Sequence, residues 1–129
     1  MLGAAPETRG SIAAVVDAYR AHGLFKRWPI RYLATNNNLA FKAARGLLAE
    51  LARGAVAVHA HVSVRGFWRD AALAGAALAA RAPLLLHLHG TGFERLHDKC
   101  DAVTRALMSG LLERAAGVLV PCESMRGWA

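Results

Sequence analysis

Short apolar runs alternate along this chain with longer stretches in which apolar residues recur every three or four positions. The runs are residues 1–5, 30–34, 56–61, 84–89 and 118–120. The second follows Pro29, and the third and fourth read V-A-V-H-A-H and L-L-L-H-L-H. Runs this short, rich in branched residues and nearly continuous, suit strands buried on both faces of a parallel sheet. Between them, Ile12, Val15, Val16 and Tyr19 mark a helix, with Ser11 at its N-cap position after a turn over residues 6–10 and Gly23 as its stop. A second helix, capped by Thr35 or Asn36, puts Ala40, Ala44, Leu47, Leu48 and Leu51 on its apolar side. Its wet side carries Lys42, Arg45 and Arg53, and Gly54 ends it. A third spans 67–81, where Pro83 blocks continuation. The fourth, 98–115, carries Val103, Leu107 and Leu111 on one stripe and Asp98, Asp101, Arg105 and Ser109 on another. Residues 123–127 start a last helix.

Strict alternation of strand and helix, without repeat or linker, predicts an α/β fold: a Rossmann-like doubly wound, mainly parallel sheet of about five strands with helices on both faces. In such sheets ligands bind in the crevice beyond the carboxyl ends of the strands. The first residues read as the tail of a strand and the last as a helix just begun, so residues 1–129 are expected to be an incomplete domain, a fragment or part of a larger protein.

Composition narrows the setting. A chain of 129 residues, 55% hydrophobic with mean hydropathy +0.26, has enough apolar side chain for a core and excludes disorder. Its longest apolar stretch, residues 71–80, is too short to span a bilayer. No signal peptide opens it, and Cys100 and Cys122 form no ligand pair by spacing, so a reduced, cytoplasmic setting is expected. The net charge of +7 favours anionic partners. Basic residues are scattered, without a run of five or an aromatic-interleaved strand, and nucleic acid is not expected.

Four groups carry candidate chemistry. The turn Glu7-Thr8-Arg9-Gly10-Ser11 lets backbone approach a ligand at a helix start, which favours phosphate, although it lacks the dinucleotide fingerprint and the P-loop lysine. His59 with His61, and His87 with His89, are spaced two apart, so each pair shares one strand face. Four imidazoles converging from adjacent strands could bind zinc, but no carboxylate accompanies them and neighbouring strands need not aim at one point. No metal site is therefore expected: His59 and His87 are read as packed and hydrogen-bonded within the sheet, and His61 and His89 as reaching the crevice. Ser63, Arg65, Trp68 and Arg69 follow the third strand, where Arg65 could clamp a phosphate or carboxylate. Glu123 and Ser124 follow the fifth. No Ser-His-Asp order or hydrolytic carboxylate pair is visible.

Placed in this order, V-A-V-H-A-H-V-S-V-R-G-F-W-R (56–69), L-L-L-H-L-H-G-T-G-F (84–93) and A-G-V-L-V-P-C-E-S (116–124) resemble the N-terminal domain of family-four glycosyltransferases. Arg9-Gly10-Ser11-Ile12 resembles that family's glycine-containing loop. The resemblance implies one half of a GT-B enzyme: the acceptor-side domain of a retaining transferase that moves a sugar from a nucleotide-sugar donor to a glycan or lipid-linked acceptor. It implies no metal and no cofactor beyond the donor as co-substrate. It assigns His89 to the transferred sugar, Gly10 and Ser11 to the donor phosphates, and His61, Ser63, Arg65 and Gly90 to the acceptor side. The donor-binding C-terminal domain and its glutamate pair are not in these residues, so the chain alone is expected to turn over poorly. One detail also departs from the family: Gly90-Thr91-Gly92-Phe93 delays the acidic residue to Glu94. The basic balance suits an anionic acceptor at the inner face of a membrane. The alternative is a non-catalytic Rossmann-like module that binds a nucleotide or a partner.

Overall fold

A computed structural model describes residues 1–36 and 38–129. Along the chain lie β1 (Leu2–Gly3), α1 (Ser11–Ala21), α2 (Leu24–Arg27), β2 (Leu33–Ala34), α3 (Ala40–Ala52), β3 (Val58–Ser63) and α4 (Phe67–Ala79). After them come β4 (Leu84–His89), α5 (Phe93–Lys99), α6 (Ala102–Arg114), β5 (Gly117–Leu119) and a 3₁₀ turn at Glu123–Met125. The strands form one sheet in the order β2-β1-β3-β4-β5, with every neighbouring pair parallel. This is a Rossmann-like α/β fold.

The two long strands build the centre. They pair over six residues, with Val58 opposite Leu84, His61 opposite His87 and Ser63 opposite His89. Side chains alternate along a strand, so one face collects Val58, Ala60, Val62, Leu84, Leu86 and Leu88, each almost fully buried. Against that face pack Ala43 and Leu47 of α3, Leu73, Ala74 and Ala77 of α4, and Met108 and Leu111 of α6. Alanines at the α4 contact let that helix approach closely. Burial on both faces, expected from the sequence, is complete only here. The opposite face carries His59, His61, Leu85, His87 and His89, and α1 lies over part of it, with Tyr19 against His59 and His61. Gly3 is required beneath α1: a β-carbon there would stand 2.5 Å from Tyr32 Oη and 3.2 Å from Ile12.

Several local expectations are corrected. Ser11 does not cap α1; Gly10 holds that position and no side chain bonds the helix start. Neither Thr35 nor Asn36 caps α3, which begins after Leu39. Thr35 is buried, and the Asn36 side chain accepts from the Ala5 N–H at 2.6 Å. The strand expected at 56–61 starts two residues later, leaving Val56 exposed. The short α2 was not anticipated. The helix expected over 98–115 is two helices. Asp101 accepts from Val103 N and Thr104 N, both at 3.0 Å, and so opens α6 afresh. Arg105 donates back to the carbonyls of His97, Asp98 and Cys100, closing α5. The break re-phases the apolar stripe: Met108 and Leu111 face the core, while Val103 and Leu107 are exposed. Among the described residues, no helix is long and apolar enough to cross a membrane.

Candidate ligand cleft at the sheet crossing

The chain builds β2 on one side of β1 and then crosses to build β3 on the other. At that reversal the connections leaving β1 and β3 diverge, the place where open α/β sheets receive ligands. A cleft of about 730 Å³ lies there, lined by Thr8, Arg9 and Gly10 from the β1–α1 connection, Ser11 at the start of α1, Asn36 and Asn38 after β2, Ser63 at the end of β3, and Arg65 and Arg69 beyond it. Gly10, Ser11, Ser63 and Arg65 are thus brought together from separate segments, as the sequence led us to expect. Thr8 comes with the turn singled out in the sequence, whereas Asn36 and Asn38 were not foreseen. Only the strand order, which a sequence does not display, brings the β2 connection to this rim.

The walls are held by short polar ties. Thr8 Oγ1 donates to Ala5 O at 2.5 Å, and Tyr32 Oη donates to Ala4 O at 2.5 Å. Burial pushes the Tyr32 hydroxyl up to about 12, so it stays a donor at physiological pH. On the β3 side, Gly66 N donates to Ser63 Oγ at 3.2 Å. Arg69 is oriented by Asp70, its Nε 3.0 Å from Oδ1 and its Nη2 3.2 Å from Oδ2. Asp70 is itself buried and accepts from Thr35 Oγ1 at 2.9 Å. Burial raises its carboxyl above the ordinary range, outweighing the lowering from Arg69 and Thr35. Gly10 has open space where a β-carbon would stand, so nothing in the fold closes the approach to the backbone at the α1 start.

Electrostatically the cleft is cationic. The first turn of α1 contains no acidic residue. Its unpaired N–H groups carry roughly half a positive charge, and the guanidiniums of Arg9, Arg65 and Arg69 stand at the rim. An oxyanion is the ligand class such a rim holds. Proton transfer is another matter: the lining contains no histidine, carboxylate, thiol or amine among the described residues.

The histidines lie elsewhere. Contrary to the expectation that they reach the crevice, His61 and His89 are 1% and 7% exposed, and His61 Nδ1 sits 2.8 Å from His89 Nε2. Neither lines the cleft, and Gly90, at φ +88°, turns the chain away beyond β4. His59 and His87 are packed as expected but not hydrogen-bonded as expected. His59 Nε2, His61 Nε2 and His87 Nδ1 are buried without a hydrogen-bond partner among the described residues. The four rings form a contiguous stack: 4.5 Å between His59 and His61, 4.9 Å between His61 and His87, and 4.3 Å between His87 and His89. Neighbouring strands do aim these imidazoles at one region, because the β3–β4 register sets His61 opposite His87. Burial, reinforced by the neighbouring rings, lowers His59 and His89 to about 4 and His61 to about 2, and burial lowers His87 as well. All four are neutral at pH 7.

Trp68 is half exposed on α4, and Glu123 pairs with Arg126 at the surface. Ser124 is exposed, its hydroxyl 3.2 Å from Cys122 Sγ. None of these residues lines the cleft. Compared with protein-family models, curated proteins and solved structures, the chain matches none.

Proposed function

We propose that this chain is the acceptor-side domain of a retaining glycosyltransferase, and that the cleft at the β1/β3 crossing takes the phosphates of a nucleotide-sugar. The observation that carries the reading is the convergence of Gly10, Ser11, Ser63 and Arg65 on one cationic cleft, together with Arg69. Gly10 and Ser11 are the residues the resemblance assigns to the donor phosphates, and Ser63 and Arg65 are two of the four it assigns to the acceptor side. A planar guanidinium matches phosphate oxygens two at a time, and a helix start adds backbone donors without adding mobile side chains. The reading does not rest on His61, His89 or Gly90, which lie outside the cleft.

One observation favours a second reading, a binding module without catalysis: among the described residues, the cleft lining supplies donors and charge but no histidine, carboxylate, thiol or amine to move a proton. The transferase and a nucleotide-binding module both require phosphate recognition, and they part on turnover. In equilibrium titrations, nucleoside diphosphate sugars should bind at least tenfold more tightly than the bare nucleosides. Arg65→Ala should weaken the diphosphates about tenfold, the equivalent of ~1.4 kcal/mol, and leave nucleosides unchanged. Equal binding of nucleosides and diphosphates, or no effect of Arg65→Ala, would remove the phosphate site from both readings. Given phosphate binding, sugar transfer by the full-length protein selects the transferase, and its absence selects the module.

A further inference from the structure

We infer that His59, His61 and His87 form a binding site for a transition-metal ion of the kind that prefers imidazole, on the sheet face partly covered by α1. One ring nitrogen from each of the three lies within 4.8 Å of the other two. The site is independent of the cleft and of the function proposed for it.

Three features point to a ligand there. First, the same three residues each carry a buried ring nitrogen with no hydrogen-bond partner among the described residues. Buried polar atoms are nearly always paired, so three orphans in one stack call for an explanation. A metal ion accepts such lone pairs directly. Second, the one hydrogen bond in the stack has the form of a support for a metal ligand. When His61 donates its Nδ1–H to His89 Nε2 at 2.8 Å, the Nε2 lone pair of His61 is left bare. The reverse tautomer would bury a proton on Nε2 without an acceptor. Metal-bound histidines ordinarily donate their second ring N–H to a neighbouring acceptor, which makes His89 a positioning residue for His61. Third, two of the three rings reach toward the surface. His61 is sealed against the sheet, while His59 and His87 are only half-buried, which gives an ion an entry path.

The chemistry selects the class of ion. Neutral imidazole suits Zn²⁺, Cu²⁺ and Ni²⁺, and the absence of carboxylates from the set disfavours Mg²⁺ and Ca²⁺. Three protein nitrogens leave one tetrahedral position for water or another ligand. Bond lengths near 2.0–2.1 Å require nitrogens roughly 3.4 Å apart. The ring planes stand at 21°, 15° and 32° to one another, so His59 and His87 must turn about χ2 for their lone pairs to meet that of His61, which keeps its bond to His89. That torsion is broad for histidine.

The test is titration of the chelator-stripped chain with Zn²⁺ alone, and with Co²⁺ as a spectroscopic probe. One equivalent should bind, Co²⁺ should give the visible bands of a tetrahedral nitrogen site, and Zn²⁺ should raise the thermal midpoint. His59→Gln with His87→Gln should lower Zn²⁺ affinity at least a hundredfold, while His22→Ala, outside the stack, should leave it intact. His89→Ala should weaken binding about 10- to 100-fold through lost orientation of His61. Ring-nitrogen NMR of the unmodified chain keeps the inference testable should a variant misfold: on Zn²⁺ addition the signals of His59, His61 and His87 should shift, and those of His22 and His97 should not. No binding by the folded chain, affinity unchanged in the double variant, or shifts confined to His22 and His97 would each overturn it.

Discussion

Asp70 is the residue through which the core reaches the cleft. Its carboxylate joins Thr35, at the end of β2, to Arg69 on α4, and it is 4% exposed. Removing it takes one acceptor from the buried Thr35 hydroxyl, whose other is Gly3 O at 3.2 Å, and two hydrogen bonds from Arg69. We expect Asp70→Ala to cost about 1–3 kcal/mol in urea denaturation, the usual range for losing hydrogen bonds that involve a charged group. Asp70→Asn should cost less. Burial works against the charge at this position, and an amide oxygen can still accept from Thr35. Equal losses for the two substitutions would show that charge, rather than the hydrogen bond to Thr35, holds the tie. Ser63 and Arg65 need no such support to be found from sequence, since residues directly after a buried strand must emerge at its carboxyl rim. Asp70 lacked a comparable signal, because its partner Thr35 is 35 positions away in the chain.

The sequence pattern served unequally for different elements. β4 was legible to the residue, because Pro83 and Gly90 bracket a run that only a strand accommodates. The alternation of elements, and from it the fold class, followed in the same way. The break between α5 and α6 was missed because apolar residues continue in helical spacing across it, and a periodicity cannot register a cap. Yet Asp101 is a cap, and its loss is measurable: Asp101→Ala should lower the midpoint of thermal or urea unfolding. No change would mean that the closure of α5 by Arg105 suffices to hold the corner. The histidines were missed differently. Spacing placed each pair on a strand face, but the register that sets His61 opposite His87 arises only when the strands pair. Their descent into the sheet, away from the crevice, depends on the cover given by α1 and Tyr19.

The molecule as a whole carries a dependence on pH that follows from that stack. For a histidine whose pKa in the fold lies below its unfolded value of 6.5, folding disfavours the proton. The stability is therefore present above about pH 6.5 and is lost as pH falls through the folded values, about 4 for His59 and His89 and about 2 for His61. Each such group removes up to about 1.4 kcal/mol per pH unit across its window. Asp70, with a raised carboxyl, acts in the opposite sense, but one acid is set against four imidazoles. The metal-free chain should thus lose thermal stability steadily from pH 6.5 toward pH 4, and His59→Gln with His87→Gln should flatten the profile. A flat profile in the unaltered chain would mean that the rings accept protons without disturbing the fold.

The sheet is also lopsided in its stitching. Six residue pairs bind β3 to β4, whereas β1 holds β2 by two and β3 by one. The thin seam runs beneath the cleft, with the Gly10 wall on its weaker side and the Arg65 wall on its stronger side. An anion gripped by both walls would act as a rivet across that seam. Much of the grip would then go into fastening the outer strands, so that recognition and consolidation of the fold become a single event.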